Sequence, residues 1–274
     1  RYTSGDPNKL TPDERYVFSI TPPHHPLETL KDYFLGLFTG DSFHVLTRSS
    51  REYSFLEFIT QPFAYSFFYV MTASLLAILL GIWLGSISAK RMKLIRGFDF
   101  FDIVPDFIWM ILIQVLFIWI YQSTGSMIFT IIALDDEPAF VLPIVSMTIV
   151  PLVYFTRLVR IKVGAELEKD YVNVAKSKGL SERFIIYKHV LPNVTTELRS
   201  ELFKLVALII GSLIIVERQF NIRGVTFYFS FPDSVFPTYE FMVNVFFTLV
   251  LIFVLSYLIN SGVLYLLGKR RSFR

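Results

Sequence analysis

Four long runs free of charged residues constrain this chain more than any other feature: Phe63 to Ala89, Phe107 to Leu134, Phe140 to Thr156 and Phe241 to Gly268. About 20 helical residues cross the roughly 30 Å of a bilayer's hydrocarbon. In that layer no water satisfies backbone N–H and C=O groups, so an apolar run of this length must pair its own backbone as a helix. The runs therefore predict an all-α integral membrane protein. Composition agrees, because 53% of residues are hydrophobic while 18% are still charged, a mixture that calls for spans joined by sizeable polar segments. The second run exceeds one span, and its Gln122-Ser123-Thr124-Gly125-Ser126 interruption marks either a helix end or a re-entrant turn.

A fifth span is implied by a shorter run. Between Lys204 and Glu217 only "LVALIIGSLIIV" is free of charge. At about 1.5 Å per residue these residues cover roughly 18 Å, too little to cross. A spanning helix over 199–220 must carry Lys204, Glu217 or both to the membrane. Such charges face a bundle interior or a wet cavity, or snorkel to the interface. The expected spans are about 63–89, 103–122, 138–156, 199–220 and 241–268.

Counting Lys and Arg orients them. With the segment after the first span inside, eighteen basic residues lie inside and eight outside. Residues 1–60 then form an extracytoplasmic subdomain, rich in loops such as "TPPHHP" and "FTGD", with one short helix near Leu27 to Phe38. Residues 61–274 form the transmembrane core, and the C-terminus is inside. An external start at Arg1 without a signal sequence leads to the expectation of a further span before it. The chain has no Cys, which excludes disulfides and thiolate chemistry. Its histidines are His24, His25, His44 and His189; His24-His25 in a Pro-rich loop reads as solvated, and no metal site is expected.

One polar stretch, "DYVNVAKSKGLSERFIIYKHVLPN" at 170–193, lies between the third and fourth spans. Two short helices are expected in it. The first, about Ala165 to Lys178, places Leu167, Tyr171, Val174 and Ala175 on one stripe. Gly179 supplies the left-handed residue that closes it, and Ser181 caps a second helix that Pro192 stops. Such an elbow is either an amphipathic connector in the headgroups or a knob for a cytoplasmic partner.

The residues Ala175-x3-Gly179-x9-His189-x-Leu191-Pro192 resemble the EAA loop of ABC-importer permeases, in the oligopeptide/dipeptide/nickel branch. "SGDP" at 4–7, "YFLGLFTGD" at 33–41, "RLVRIKV" at 157–163 and "GSLIIVERQFNIRG" at 211–224 resemble other elements of that branch, in the same order. Two departures stand out. Asn173-Val174 replace the usual Glu-Ala, and Arg223 stands where Pro is common.

The resemblance implies a type I importer permease fold and a subunit of an ATP-driven importer of short peptides. The EAA loop, 164–196, would be the coupling helix that docks on an ATPase. Its docking residues would be Tyr171, Asn173, Ala175, Gly179, Leu180, Ser181, Phe184, His189, Leu191 and Pro192. Implied partners are a second homologous permease, two ATP-binding subunits, an extracytoplasmic substrate-binding protein and a peptide, in a prokaryotic cytoplasmic membrane, with no nucleic acid. ATP and Mg would be held by the ATPase subunits, because no G-x-x-x-x-G-K-[ST] phosphate cradle occurs in this sequence. The chain itself would bind no cofactor and would not be an enzyme. Glu217, Lys204 and Asp106 are candidates to line or gate the pathway. On the residues alone the favoured readings are Asp106 as a helix-start residue, Lys204 as a snorkelling anchor and Gln114 as an interhelical hydrogen-bonding residue. Alternative readings are import of nickel chelates or another small solute, an ion-coupled secondary transporter, or a membrane-embedded enzyme.

Overall fold

The computed structural model describes residues 26–46, 52–89, 104–126, 129–133, 138–230 and 238–272. "SGDP", His24-His25, the basic cluster at 90–96 and the acidic triplet at 135–137 lie outside them. The helices are α1 (Pro26–Thr39), α2 (Phe55–Ser88), α3 (Asp106–Thr124), α4 (Val141–Leu167), α5 (Asp170–Ser177), α6 (Glu182–Ile185), α7 (Leu191–Gln219), α8 (Phe227–Ser230) and α9 (Tyr239–Ser272). Two short strands, β1 (His44–Leu46) and β2 (Glu52–Ser54), pair antiparallel with Val45 opposite Tyr53. Among the described residues four helices, α2, α3, α4 and α9, are long and apolar enough to cross a membrane. The chain is thus a membrane-embedded, helical protein. α7 is long enough at 29 residues but is not among those four, since charges interrupt its apolar run.

The chain divides into two compact units: residues 1–66 with 223–251, and residues 67–222 with 252–274. In the first, α1 is fastened through one side chain. The Tyr33 hydroxyl donates to Asn244 Oδ1 at 2.6 Å, and Asn244 Nδ2 donates to the Ser42 carbonyl at 2.7 Å. Ser42 Oγ donates back to the Tyr33 carbonyl at 2.9 Å, so all three buried polar residues are satisfied together. Phe55, Phe58, Tyr228 and Phe241 meet edge-to-face or tilted beside them, with ring centroids 4.9–6.4 Å apart.

In the second unit, α4 and α7 form the central pair, with α3 against both. The buried face of α7 repeats at three- and four-residue intervals: Val194, Leu198, Leu202, Leu205, Ile209, Leu213 and Val216. α2 approaches α4 through Gly81 and Gly85, a Gly-x3-Gly pair. A Cβ on Gly81 would lie 2.9 Å from Phe155 Cδ1, and one on Gly85 would lie 2.6 Å from Val159 Cβ. Only hydrogen side chains permit that contact, the usual device of close-packed membrane helices. Polar pairs add to it. Gln219 Nε2 donates to Gln114 Oε1 at 2.5 Å and Gln114 Nε2 to the Gln219 carbonyl at 3.2 Å, so Gln114 does bond between helices. Asn260 Nδ2 on α9 likewise donates to Ser74 Oγ on α2 at 2.8 Å.

One open boundary is decided and others shift, with α2 and α7 each beginning eight residues before the expected spans, at Phe55 and Leu191. The second apolar run ends its helix at Thr124, where Gly125 takes φ +69° and donates to the Tyr121 carbonyl; the interruption is a helix end. The third helix does not stop near Thr156 but runs eleven residues further, to Leu167, carrying Arg157, Arg160 and Lys162. Long basic side chains do not end a helix. Lys162 bridges to Glu197 on α7 at 2.9 Å, which keeps its charge paired while its stem packs.

Candidate functional site

The elbow begins where α4 ends. Lys169 adopts an extended conformation between two helical stretches, and Asp170 opens α5 in the position an acidic residue prefers. This break resets the helix phase, so the expected stripe of Leu167, Tyr171, Val174 and Ala175 does not form. Val172 is fully buried and Ala175 nearly so, whereas Val174 is 54% exposed. α5 closes with a Schellman motif: Leu180 N–H donates to the Ala175 carbonyl at 3.3 Å and Gly179 N–H to the Lys176 carbonyl at 2.9 Å. That motif requires a left-handed residue, and Gly179 supplies it at φ +78°. Ser181 then caps α6, its Oγ accepting from the Phe184 N–H at 3.4 Å.

Pro192 does not stop the second helix. α6 passes through a π turn, Ile186–Val190, directly into α7. Leu191 N–H donates to the Ile186 carbonyl, five residues back. Proline has no N–H and its ring clashes with the carbonyl four residues earlier. A wider turn just before Pro192 removes that clash, so the helix continues.

The elbow residues fall into two sets. Asn173, Gly179, Leu180, Ser181 and Phe184 are exposed, and the His189 ring meets Phe184 edge-on at 5.9 Å. Leu180 and Phe184 are apolar yet 36% and 46% exposed. A shallow cavity of about 270 Å³ lies between the helices, lined by Leu167, Lys176, Glu182 and Ile185. Ala175 and Leu191 are instead buried in the chain's own core, and Pro192 is half-buried, so these three shape the elbow from within.

One residue that the sequence did not single out anchors the whole element. Glu166, on the last turn of α4, is only 3% exposed. Its Oε1 accepts from the Tyr171 hydroxyl at 3.0 Å and from Asn193 Nδ2 at 2.9 Å, and its Oε2 pairs with Lys169 Nζ at 2.6 Å. Burial, then the bond to this carboxylate, pushes the Tyr171 phenol up to about 12. The separate bond from Lys169 Nζ to the other carboxylate oxygen raises the Lys169 ammonium above its ordinary value. The available signal was an acid just upstream of an aromatic and an Asn past the elbow, but their pairing spans 27 residues.

Of the three membrane candidates, Lys204 and Glu217 are about 20 Å apart along α7 and do not meet. Lys204 is exposed on α7 and lies 4.9 Å over the Tyr154 ring; the Tyr154 hydroxyl donates to Glu201 at 3.0 Å. Glu217, thirteen residues on, is completely buried. Asp106 is the first residue of α3.

The family described as a binding-protein-dependent transport system inner membrane component matches residues 77–273, most of the chain and all of the elbow. The chain belongs to that family. Its relatives include the dipeptide transport system permease protein DppB of Lactococcus lactis subsp. cremoris, 27% identical over 191 residues, which is 67% of this chain and 61% of that protein. DppB of Bacillus subtilis is 29% identical over 179 residues, covering 63% of this chain and 56% of the relative. The oligopeptide transport system permease protein AppB of Bacillus subtilis is 28% identical over 172 residues, covering 57% and 52%. The matched stretch thus spans little more than half the length of these inner membrane components.

Proposed function

We propose that this chain is the permease subunit of an ATP-driven importer of short peptides. The reading is carried by the helix–Gly–helix elbow, which offers exposed Leu180 and Phe184 beside a shallow cavity and continues without a joint into α7. A surface of this kind suits insertion into a cleft on a cytoplasmic ATPase. Closure of the ATPase pair would tilt α4 and α7 and so alternate access to a pathway shared with a second, homologous permease. Glu217 and Lys204 on α7, and Asp106 at the start of α3, are the residues proposed to face or gate that pathway. ATP and Mg would belong to two partner ATPase subunits, and this chain performs no catalysis. Peptides are favoured because the relatives are named for dipeptide and oligopeptide transport. An extracytoplasmic binding protein would deliver them. The basic balance of the sequence supports a prokaryotic cytoplasmic membrane with the elbow inside and residues 1–60 outside.

The test is Gly179→Arg. A Cβ there meets nothing within 4 Å, so the variant disturbs the local backbone and the exposed face while leaving the core untouched. The expected outcome is normal membrane insertion with loss of ATPase co-purification and of dipeptide uptake in vesicles. Undiminished ATPase co-purification would refute the docking role.

A further inference from the structure

We infer that Glu166 is a positioning residue that latches the two ends of the elbow together, so that the elbow moves as one body with α4 and α7. The inference rests on the coupling role proposed above, but its geometry is independent of it. α5 has eight residues and is separated from α4 by the break at Lys169. An isolated helix of two turns has little stability of its own. Without a brace it would swing about Glu168-Lys169 and about Gly179, and a push on its exposed face would be lost in that swing.

The carboxylate supplies the brace from a buried position. One oxygen holds Tyr171, in the first turn of α5, and Asn193, in the first turn of α7; the other holds Lys169 at the break itself. The entry and exit of the elbow are therefore joined through a single group on α4. Hydrogen bonds to an ionised acceptor are the stronger kind, and a buried acceptor is costly to leave unmatched. The acidic position of the usual Glu-Ala-Ala triplet is Asn173 in this chain, and Asn173 is exposed. The acid that organises this elbow lies seven residues earlier, on the preceding helix. Gly268 of α9 adds a second point of support, since a Cβ on it would come within 2.8 Å of Thr195 Oγ1.

The test uses spin labels at Ser177→Cys and Ser200→Cys in the full chain in nanodiscs; both residues are exposed and the chain has no other Cys. Their distance distribution is expected to be narrow, and to broaden in Glu166→Ala as the latched fraction falls roughly tenfold. Glu166→Gln, which keeps the size and loses the ion pair, is expected to broaden it less, and it carries the test if the alanine variant does not accumulate. In the assembled transporter, Glu166→Ala is expected to hydrolyse ATP while taking up less labelled dipeptide per ATP. A short bis-methanethiosulfonate cross-linker, whose two disulfides to Tyr171→Cys and Asn193→Cys form with release of methanesulfinate, is expected to restore that ratio, and reduction to abolish it. An unchanged label distribution in both Glu166 variants overturns the inference. That readout needs neither ATPase nor solute, so it fails separately from the docking role, which Gly179→Arg tests.

Discussion

Replacing Gly85 by alanine adds one methyl group at the place where α2 and α4 approach most closely. The new Cβ would lie 2.6 Å from Val159 Cβ, 2.7 Å from Val159 Cγ1 and 2.8 Å from the Thr156 carbonyl oxygen. Carbon atoms in favourable contact sit about 3.5–4.0 Å apart, so the helices must separate by roughly 1 Å. Overpacking of that kind costs about 1–3 kcal/mol. At about 2–4 °C per kcal/mol for a chain of this size, the melting midpoint in detergent is expected to fall by roughly 2–12 °C. Gly262→Ala on α9 is the matched control, because its Cβ would meet nothing within 4 Å. There the same substitution should be neutral or add about 0.5–1 kcal/mol through helix propensity. The double variant Gly85→Ala/Val159→Ala should recover only part of the loss. Trimming Val159 clears only the Cγ1 contact, because alanine keeps its Cβ and the Thr156 carbonyl belongs to the backbone. Thermal unfolding of wild type, Gly85→Ala, Val159→Ala and the double variant gives the coupling energy directly. A Gly85→Ala midpoint at or above wild type, or strictly additive Gly85 and Val159 effects, would refute the close-packing argument.

Gln114→Leu should lower stability by about 0.6–2 kcal/mol, the range of interhelical hydrogen bonds in membranes, because it breaks both bonds to Gln219; equilibrium unfolding in mixed micelles measures it. Ser181→Ala should cost about 0.5–1 kcal/mol locally and speed hydrogen exchange at the Phe184 amide, while Ser181→Asn should not. The Tyr171 phenol should ionise near 12 in place of 10, read as the wild-type minus Tyr171→Phe difference in phenolate absorbance. Because folding raises this value, its contribution to stability is whole below pH 10 and lost as pH climbs through about 12. A difference spectrum centred at 10 would contradict the bond to Glu166.

Much of the fold could be read from local rules. The helical cores of α2, α3, α4 and α9 follow from uncharged length alone. The elbow's corner was legible because Gly179 and Ser181 act on their immediate neighbours: a left-handed glycine and a capping hydroxyl need no tertiary information. What escaped the sequence depends on partners far along the chain. Arg157, Arg160 and Lys162 read as the end of a span, yet α4 absorbs them because Glu197, thirty-five residues from Lys162, is there to pair. Pro192 read as a stop because its usual clash is with an α turn, and only the π turn ahead of it alters that outcome. The sequence does not single out Glu166, since nothing adjacent to it reveals that Asn193 returns to the same carboxylate. Val174 was placed inward by a phase that held only if α4 and α5 were one helix; the extended Lys169 rotated it outward.

The unbroken helical backbone from α6 through the π turn into α7 has a mechanical meaning. From Pro192 to Glu217 the chain is one rod of roughly 38 Å, with its short end at the elbow and its buried carboxylate at the far end. A lever of that length turns a tilt of about 10° into a sweep of roughly 6–7 Å at the tip. Small angular errors at the elbow are magnified by the same factor, and such a crank works only where its handle is held stiffly.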